Sequence, residues 1–333
     1  MPEFVELNCV DLSEPDLNKS VSLLKQACLD CGFFYLVNHG ISLDLMDEVF
    51  SQSKKFFDLP YEEKMKVLRN KKHRGYTPMF DETLDPDNQV GGDYKEGYYI
   101  GVEVPENDPQ AQRSFFGPNL WPSKDLLPRW RETMEKYHRE CLERARVLAR
   151  LIALALNLEP DFFDKPEILG EAIVTLRLLH YEGKAADPDK GIYGAGAHSD
   201  FGLLTLLATD DVLGLQICRH KDAQPRVWEY VAPLRGAFVV NLGDMLERWS
   251  NCIFSSLCCF YRSTLHRVLS NGQERYSIAY FVEPSHDCIV ECLPTCKSDS
   301  NPPKYPPIKS EAYLHQRYMD THADLSSYDH KTG

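Results

Sequence analysis

Three residues in this chain have the types and spacing of a metal site. His198 and Asp200 stand two residues apart in a glycine-rich run, and His266 lies well beyond them in the sequence. Side chains two positions apart on an extended strand point to the same side, so His198 and Asp200 can bind one ion while a distant strand brings His266. Two imidazoles and one carboxylate on one face of a metal, with the opposite positions open, suit a non-haem Fe(II) centre that reacts with oxygen.

The pair Arg275 and Ser277 strengthens this interpretation. A His-x-Asp triplet alone is a weak signal, because these residues also occur together in surface turns. After His266, however, Arg275 and Ser277 share one face of a predicted strand. A guanidinium fork beside a hydroxyl suits a carboxylate ligand. The second motif therefore predicts a bound carboxylate.

These motifs together resemble one family, the 2-oxoglutarate- and iron(II)-dependent dioxygenases of the isopenicillin N synthase-like group. The similarity extends over nearly the whole chain. It is carried by residues 24–28, 31–41, 55–60, 198–207, 214–216, 240–245, 266–268 and 275–277.

The resemblance implies roles for two sets of residues, with no catalytic residue beyond the metal ligands. The implied iron ligands are His198, Asp200 and His266. The residues implied to hold the far carboxylate of 2-oxoglutarate are Arg275, Ser277 and Tyr181.

The resemblance also implies the cofactors and the reaction. Fe(II), with 2-oxoglutarate and dioxygen as cosubstrates, would couple decarboxylation of 2-oxoglutarate to oxidation of a C–H bond in a small organic metabolite. Hydroxylation is the expected outcome. Desaturation, ring closure and loss of a methyl group use the same motif, so the motif does not separate these reactions.

Two alternatives remain open on the sequence. Relatives that oxidise their substrate with dioxygen alone also carry the Arg-x-Ser pair, so this pair does not decide whether 2-oxoglutarate is used. Residues 255–261 look inserted ahead of His266 relative to the family pattern. Because a shift of one residue turns a strand's side chains to the opposite face, an insert absorbed into the strand would turn His266 away and leave a catalytically silent protein.

Composition and charge limit the classes of partner. The chain has 333 residues, 43% of them hydrophobic, and a formal net charge of -13, which disfavours binding to nucleic acid phosphates. No apolar run is long enough for a membrane span, and the start lacks the pattern of a secretion signal. The eleven cysteines are therefore expected as free thiols. We expect a cytosolic monomer that binds a small molecule and no membrane.

Helical and strand patterns alternate in the first half of the chain. Apolar residues recur at helical spacing over residues 17–31 and 43–57, on either side of a β-favouring run at 33–37. Residues 70–122 have poor periodicity and many Gly, Pro, Asp and Tyr residues, which predicts loops that cover a substrate pocket. A long amphipathic helix is predicted over 126–158, to pack along a sheet.

Short β-rich runs separated by turn residues follow the long helix. This pattern predicts a double-sheet jelly roll, or double-stranded β-helix, as the core of an α+β, mainly β fold with flanking helices. We expect two parts, residues 1–122 as an amino-terminal helical and mixed region and residues 123–333 as the long helix with the jelly roll. The predicted strands are residues 173–181, 203–208, 215–217, 227–231, 237–242, 264–269, 276–282 and 288–291.

Six further residues are candidates for the substrate pocket. Phe201 directly follows Asp200, and Phe281 lies on the strand that carries Arg275. For the aromatic candidates core packing is the competing interpretation, because aromatic side chains dominate protein cores. The six candidates are Tyr76, Tyr98, Tyr99, Phe201, Phe281 and Glu283.

Overall fold

The structure is a computed structural model that describes residues 3–251 and 263–324. The apparent insert at 255–261 lies outside these residues. The strands of the described part are β1 (Asn8–Asp11), β2 (Phe33–Val37), β3 (Gly75–Thr77), β4 (Glu96–Gly101), β5 (Ala172–Tyr181), β6 (Ala195–His198), β7 (Leu204–Thr209), β8 (Leu215–Cys218), β9 (Glu229–Tyr230), β10 (Phe238–Leu242), β11 (Leu265–Val268), β12 (Arg275–Ser285), β13 (Ile289–Val290) and β14 (Ile308–Lys309).

Two sheets facing each other form the core. The larger sheet has eight strands in the order β1-β2-β10-β7-β12-β5-β4-β3, and the smaller has four in the order β6-β11-β8-β9. Apolar side chains of the smaller sheet, including Ile217 and Val268, share one buried cluster with Leu179 and Val239 of the larger sheet. Two sheets packed face to face over a common core confirm the predicted jelly roll.

Helices cover the other face of the larger sheet. Helix α4 begins after Pro128 and ends before Asn157, whose φ of 57° is left-handed, so it is shorter at both ends than the predicted 126–158. Proline disfavours helix in the residue before it, and a left-handed residue stops the helical repeat. The helices of the described part are α1 (Leu17–Asp30), α2 (Leu43–Phe57), α3 (Tyr61–Met65), α4 (Trp130–Ala155), α5 (Asp244–Ser250) and α6 (Ser310–Thr321).

Alternation along β12 separates the two faces of the larger sheet. Ser277 and Phe281 pair with residues of β5 and project toward the smaller sheet. Tyr280 projects the other way, and its hydroxyl lies 3.3 Å from Nδ1 of His138 on α4. The inner face is therefore the one that can contribute to a site between the sheets.

The segment 70–122 differs from its prediction as a run of loops. It contains β3 and β4, and β4 pairs with β5 as part of the larger sheet. Gly97 and Gly101 lie within β4, and glycine is depleted in strands because it has no side chain to pack. All of β4 is buried, so the polar alternation of a half-exposed strand is missing as well.

The carboxyl-terminal part of the described chain returns to the sheets. The short hairpin β13–β14 leads into α6, and the Tyr313 hydroxyl of α6 donates to Asp244 Oδ2 over 2.6 Å. This helix has no counterpart in the sequence prediction. Within the described residues, no helix has both the length and the apolar composition that crossing a membrane requires.

Candidate metal centre and substrate cavity

The two histidines of the predicted triad lie opposite each other in the smaller sheet. β6 ends at His198, and His266 is its antiparallel partner on β11. Directly opposed residues project from the same face of a sheet, so both imidazoles point between the sheets. Asp200 follows in the turn after β6. The described register thus keeps His266 in the site.

The donor atoms of the triad converge. Asp200 Oδ1 lies 3.7 Å from His198 Nε2 and 3.5 Å from His266 Nε2. One ligand atom from each of the three residues lies within 4.8 Å of the others, and this is the one such cluster of His, Cys, Asp or Glu found in residues 3–251 and 263–324. The structure brings together all three residues that the sequence singled out.

Hydrogen bonds behind the triad orient each donor. His198 Nδ1 lies 2.8 Å from the carbonyl of Gly196, and His266 Nδ1 lies 3.0 Å from the carbonyl of Thr264. A carbonyl only accepts, so each Nδ1 carries a proton, and in the neutral imidazole Nε2 keeps the lone pair that a metal ion takes. Two imidazole lone pairs and one carboxylate oxygen form a donor set that fits Fe(II).

The second carboxylate oxygen of Asp200, which does not face the histidines, is fixed by hydrogen bonds. Oδ2 accepts hydrogen bonds of 2.6 Å from both Thr205 Oγ1 and Asn241 Nδ2, which leaves Oδ1 for the site. Burial alone would raise the pKa of Asp200, but His266 and His198 outweigh it and the pKa lies below its usual range. Burial lowers the pKa of His198 to about 3, helped by the neighbouring His266. The structure therefore favours an ionised aspartate and a neutral His198, as metal binding requires.

The second predicted motif, Arg275 with Ser277, lies on the inner face of β12. Arg275 pairs with Tyr181, and its guanidinium lies over the Tyr181 ring, 5.1 Å from the centroid. Arg275 Nε donates to the carbonyl of Val212, whereas Nη1 is buried and has no hydrogen-bond partner among the described residues. Since buried donors are normally paired, an anionic ligand such as a carboxylate fits this position. Ser277 is buried on the same face, one strand repeat away.

A small cavity adjoins the triad. It encloses about 40 Å³ and contacts His198 and Asp200. Its walls include four of the six predicted pocket residues, namely Tyr99, Phe201, Phe281 and Glu283. Arg275, Ser277 and Tyr181 are not part of these walls.

Tyr76 and Tyr98 lie on the opposite face of the larger sheet. They pair with each other across β3 and β4, and alternation turns Tyr98 away from the side that Tyr99 occupies. The Tyr98 ring packs against Phe56 and Trp130, and its hydroxyl donates to the carbonyl of Leu120 over 2.6 Å. For these two tyrosines the structure shows core packing and no contact with the cavity.

The sequence analysis did not predict a buried charge network that reaches the cavity wall. Arg177 on β5 binds Glu82 through both terminal nitrogens, at 2.9 and 3.3 Å. Lys95 binds Glu82 at 2.8 Å and also contacts Asp93, which accepts the Gly196 amide at 2.9 Å. Burial would raise the pKa of Glu82, but Arg177 and Lys95 hold it well below its usual range. A charged Arg177 inside an apolar strand was the signal available in the sequence.

Two further wall residues come from the end of the described chain. Tyr318 on α6 and His322 just after it both contact the cavity. His322 Nε2 lies 2.7 Å from the Tyr99 hydroxyl and 3.5 Å from Glu82 Oε1. Helix α6 and the residue after it thus form part of the cavity wall and meet the charge network.

Two family descriptions match this chain. The amino-terminal region described as non-haem dioxygenase in morphine synthesis matches residues 7–124. The 2OG-Fe(II) oxygenase superfamily matches residues 174–284, which include the triad, Arg275 and Ser277.

Curated relatives are similar over almost their whole length. Azadirone synthase from Melia azedarach is 51% identical over 94% of this chain and 92% of its own. Kihadalactone A synthase from Citrus sinensis is 50% identical over 96% of this chain and 93% of its own. A 2-oxoglutarate-Fe(II) type oxidoreductase from Emericella nidulans is 36% identical, over 93% and 87% of the two chains.

Solved structures share the fold. A full-length Neurospora crassa protein in complex with alpha-KG has a TM-score of 0.79 at 30% identity, over 96% of this chain and 99% of that one. Dioxygenase for auxin oxidation 1 from Arabidopsis thaliana, in complex with 2-oxoglutarate, has a TM-score of 0.68 at 27% identity, over 89% and 100% of the two chains. The architecture described above is therefore one that holds 2-oxoglutarate in other proteins.

Proposed function

The chain belongs to the 2OG-Fe(II) oxygenase superfamily, and from this premise we propose that His198, Asp200 and His266 are its iron ligands. The observation that carries the proposal is the convergence of two Nε2 atoms and Asp200 Oδ1 within 4.8 Å. In each of the three residues, the polar atom that faces away from the site makes a hydrogen bond that fixes the side chain. The three donors therefore need little rearrangement to bind one ion.

Arg275 and Ser277 would hold the far carboxylate of 2-oxoglutarate, with Tyr181 beneath the guanidinium. The Nη1 of the buried Arg275 has no hydrogen-bond partner among the described residues, which supports this role, since a planar donor fork matches a carboxylate. When bound, Fe(II), 2-oxoglutarate and dioxygen supply the oxidising power, and 2-oxoglutarate leaves as succinate and carbon dioxide. The chain's own residues orient the cosubstrate and keep water from the reacting C–H bond.

The substrate would be a small organic metabolite that presents one C–H bond to the cavity. Phe201, Phe281 and Tyr99 line this space, so an apolar part of the substrate suits it. At about half identity, the synthases named for azadirone and kihadalactone A support a role in the oxidative steps that build metabolites. Hydroxylation is the expected reaction, with desaturation, ring closure and demethylation as related outcomes.

We also infer that the chain acts as a cytosolic monomer without a nucleic acid partner. The net charge of -13 supports the second point, because like charges repel a phosphate backbone. Size-exclusion chromatography with light scattering would measure the mass of the particle in solution against the 38.2 kDa of one chain.

The proposed function is tested with purified protein, Fe(II) and 2-oxoglutarate. Succinate release should rise when a metabolite panel includes a substrate. His198→Ala, Asp200→Ala and His266→Ala should each abolish release and weaken iron binding, while the circular dichroism spectrum stays that of the parent. His315→Ala, an exposed histidine outside the cluster, should leave both unchanged.

Each alternative has its own signature in this experiment. Substrate-dependent oxygen uptake without succinate would identify an oxidase that does not use 2-oxoglutarate. A parent protein that binds iron no better than the three variants would be a catalytically silent relative. Strong residual release in all three variants would place the metal elsewhere.

A further inference from the structure

Glu283 is an acidic residue of the cavity wall that has no pairing partner in the described part of the chain. Its side chain is 5% exposed and lines the cavity beside Asp200 and Phe281. Glu82, in the same cavity, is neutralised by Arg177 and Lys95. Across residues 3–251 and 263–324, Glu283 has no hydrogen bond and no ion pair. A buried carboxyl group without a partner is costly, so such a group is rarely left without a purpose.

The backbone around Glu283 is shaped to make room for its side chain. A Cβ at Gly202 would lie 2.8 Å from Glu283 Cγ, 3.1 Å from its Cδ and 2.6 Å from the carbonyl of Val282. Gly202 stands two residues after Asp200, so the turn that carries this proposed ligand also packs on Glu283. Glu283 is thus held against the metal site by close packing and is not a side chain that swings freely.

The size of the space limits what can meet this carboxyl group. The cavity of about 40 Å³ holds a few water molecules or one functional group of a ligand, so the rest of a metabolite or of a smaller probe would lie outside it. Because the same small space adjoins His198 and Asp200, a group that reaches Glu283 lies close to the proposed iron position. The partner of Glu283 would therefore sit near the carbon that is oxidised.

Resting on the proposed function, we propose that Glu283 recognises a hydroxyl group carried by the substrate next to its reacting C–H bond. A hydroxyl both donates and accepts hydrogen bonds, so it satisfies a carboxyl group whether or not that group is ionised. A carbonyl only accepts, and an ammonium group only donates. Phe201 and Phe281 beside it offer apolar contact to the carbon that carries the hydroxyl group. The substrate class is therefore an otherwise apolar alcohol, of which the cavity takes the hydroxyl group and the carbon beside it.

Two ring probes of nearly equal size test this recognition. Cyclohexanol offers a donor and an acceptor, and cyclohexanone only an acceptor. Their dissociation constants are measured by calorimetry on the full chain loaded with Fe(II) and 2-oxoglutarate without oxygen. Cyclohexanol should bind the parent protein about tenfold or more tightly than cyclohexanone, as a hydrogen bond to a charged or buried group implies.

Variants of Glu283 separate recognition from packing. Glu283→Leu should weaken cyclohexanol binding by about tenfold and bring the two probes to similar affinity. Glu283→Gln keeps a donor and an acceptor, so it should retain most of the cyclohexanol affinity. Phe281→Leu is the control for the apolar wall and should weaken both probes by a similar factor. Thermal unfolding of each variant checks that the fold is kept.

The outcomes also separate this inference from the proposed function. Equal affinities of the parent for the two probes, or an unchanged preference in Glu283→Leu, would overturn the role of Glu283. So would tighter binding of cyclohexanone that depends on Glu283. Iron and 2-oxoglutarate binding are measured on the same samples, and a parent protein that binds neither would instead contradict the proposed function.

Discussion

At the scale of single residues, the two oxygens of Asp200 have different tasks. Oδ2 accepts from Thr205 and Asn241, and Oδ1 faces the two histidines. Partners of this kind orient a ligand and typically change metal affinity by about 10- to 100-fold when removed. Thr205 and Asn241 therefore belong to the site as much as the atoms that would touch the metal.

The role of Arg275 is tested by a change that keeps its charge. Arg275→Lys removes the planar fork, so the apparent KM for 2-oxoglutarate should rise by about tenfold or more, consistent with roughly 1.5–3 kcal/mol for hydrogen bonds to a charged group. Iron affinity should hardly change. Arg235→Lys, at an exposed position bonded to Asp47, is the matched control and should leave the KM unaltered. An unchanged KM in Arg275→Lys would remove Arg275 from this role.

Two pairs of site residues could be predicted from their spacing because strand parity places each pair on one face, whereas His266 was assigned through the resemblance to the family. His198 and Asp200 are two apart, and Arg275 and Ser277 are two apart. The charge network could not be predicted in this way. Glu82 meets Arg177 only because β4 and the segment before it fold across β5. Such a contact depends on tertiary packing, and sequence spacing carries no sign of it.

At the scale of elements, β4 shows how alternation decides between core and cavity. Tyr98 and Tyr99 are adjacent and both are buried, so composition and burial do not distinguish them. The strand turns Tyr99 to the cavity and Tyr98 to the helices. The sequence analysis named both as pocket candidates, with core packing as the competing interpretation, and it predicted loops for 70–122. Without a predicted strand, the alternation of side chains between two faces could not be used to separate Tyr98 from Tyr99.

Removing one hydroxyl from each tyrosine tests this division. Tyr98→Phe loses a bond to the Leu120 carbonyl, and Tyr99→Phe loses a bond to His322, so each should cost about 1 kcal/mol of unfolding free energy. Only Tyr99→Phe should also change the KM for substrate, because only that hydroxyl belongs to the cavity wall. Urea unfolding and succinate release measure the two effects. Equal effects of the two variants on KM would contradict the assigned faces.

Helix α6 was not predicted from the sequence either, for a comparable reason. Among its residues only Ser310, Leu314 and Thr321 are buried, so its apolar stripe is narrow. Its polar and aromatic side chains make specific contacts instead, such as Tyr313 with Asp244 and Arg317 over the Phe201 ring at 4.6 Å. An element held by such contacts leaves a weak periodic signal even where it lies against the site.

At the scale of the whole molecule, five histidines outside the triad, among them His39 and His286, are packed in surroundings that oppose protonation, and the effect is largest for three others. Burial, with nearby cations or histidines, lowers the pKa of His73 to about 2, of His138 to about 4 and of His322 to about 3. His73 lies between Phe115, Tyr318 and His322, which joins the segment 70–122 to α6. The same packing that places α6 along the cavity thus makes the fold sensitive to acid.

The sign of this sensitivity follows from the lowered pKa values. A histidine in the unfolded chain takes up a proton near pH 6.5, whereas the same histidine in the folded protein becomes protonated only at a much lower pH. The unfolded state therefore binds more protons below about pH 6.5, and the unfolding free energy falls as pH drops through that range. At about pH 5 compared with pH 7, each such histidine would contribute a loss of up to roughly 2 kcal/mol.

His73→Asn tests this contribution at a position whose φ of 53° asparagine tolerates well. The variant should lose less stability than the parent between about pH 7 and pH 5, by up to roughly 2 kcal/mol, because one proton-binding difference has been removed. Urea unfolding followed by tryptophan fluorescence gives the free energies, with a chelator present because metal binding is itself pH-dependent. His220→Asn changes an exposed histidine outside this cluster and should keep the pH dependence of the parent. If all three proteins lose stability equally between the two pH values, the burial of His73 does not oppose its protonation and the acid sensitivity has another origin.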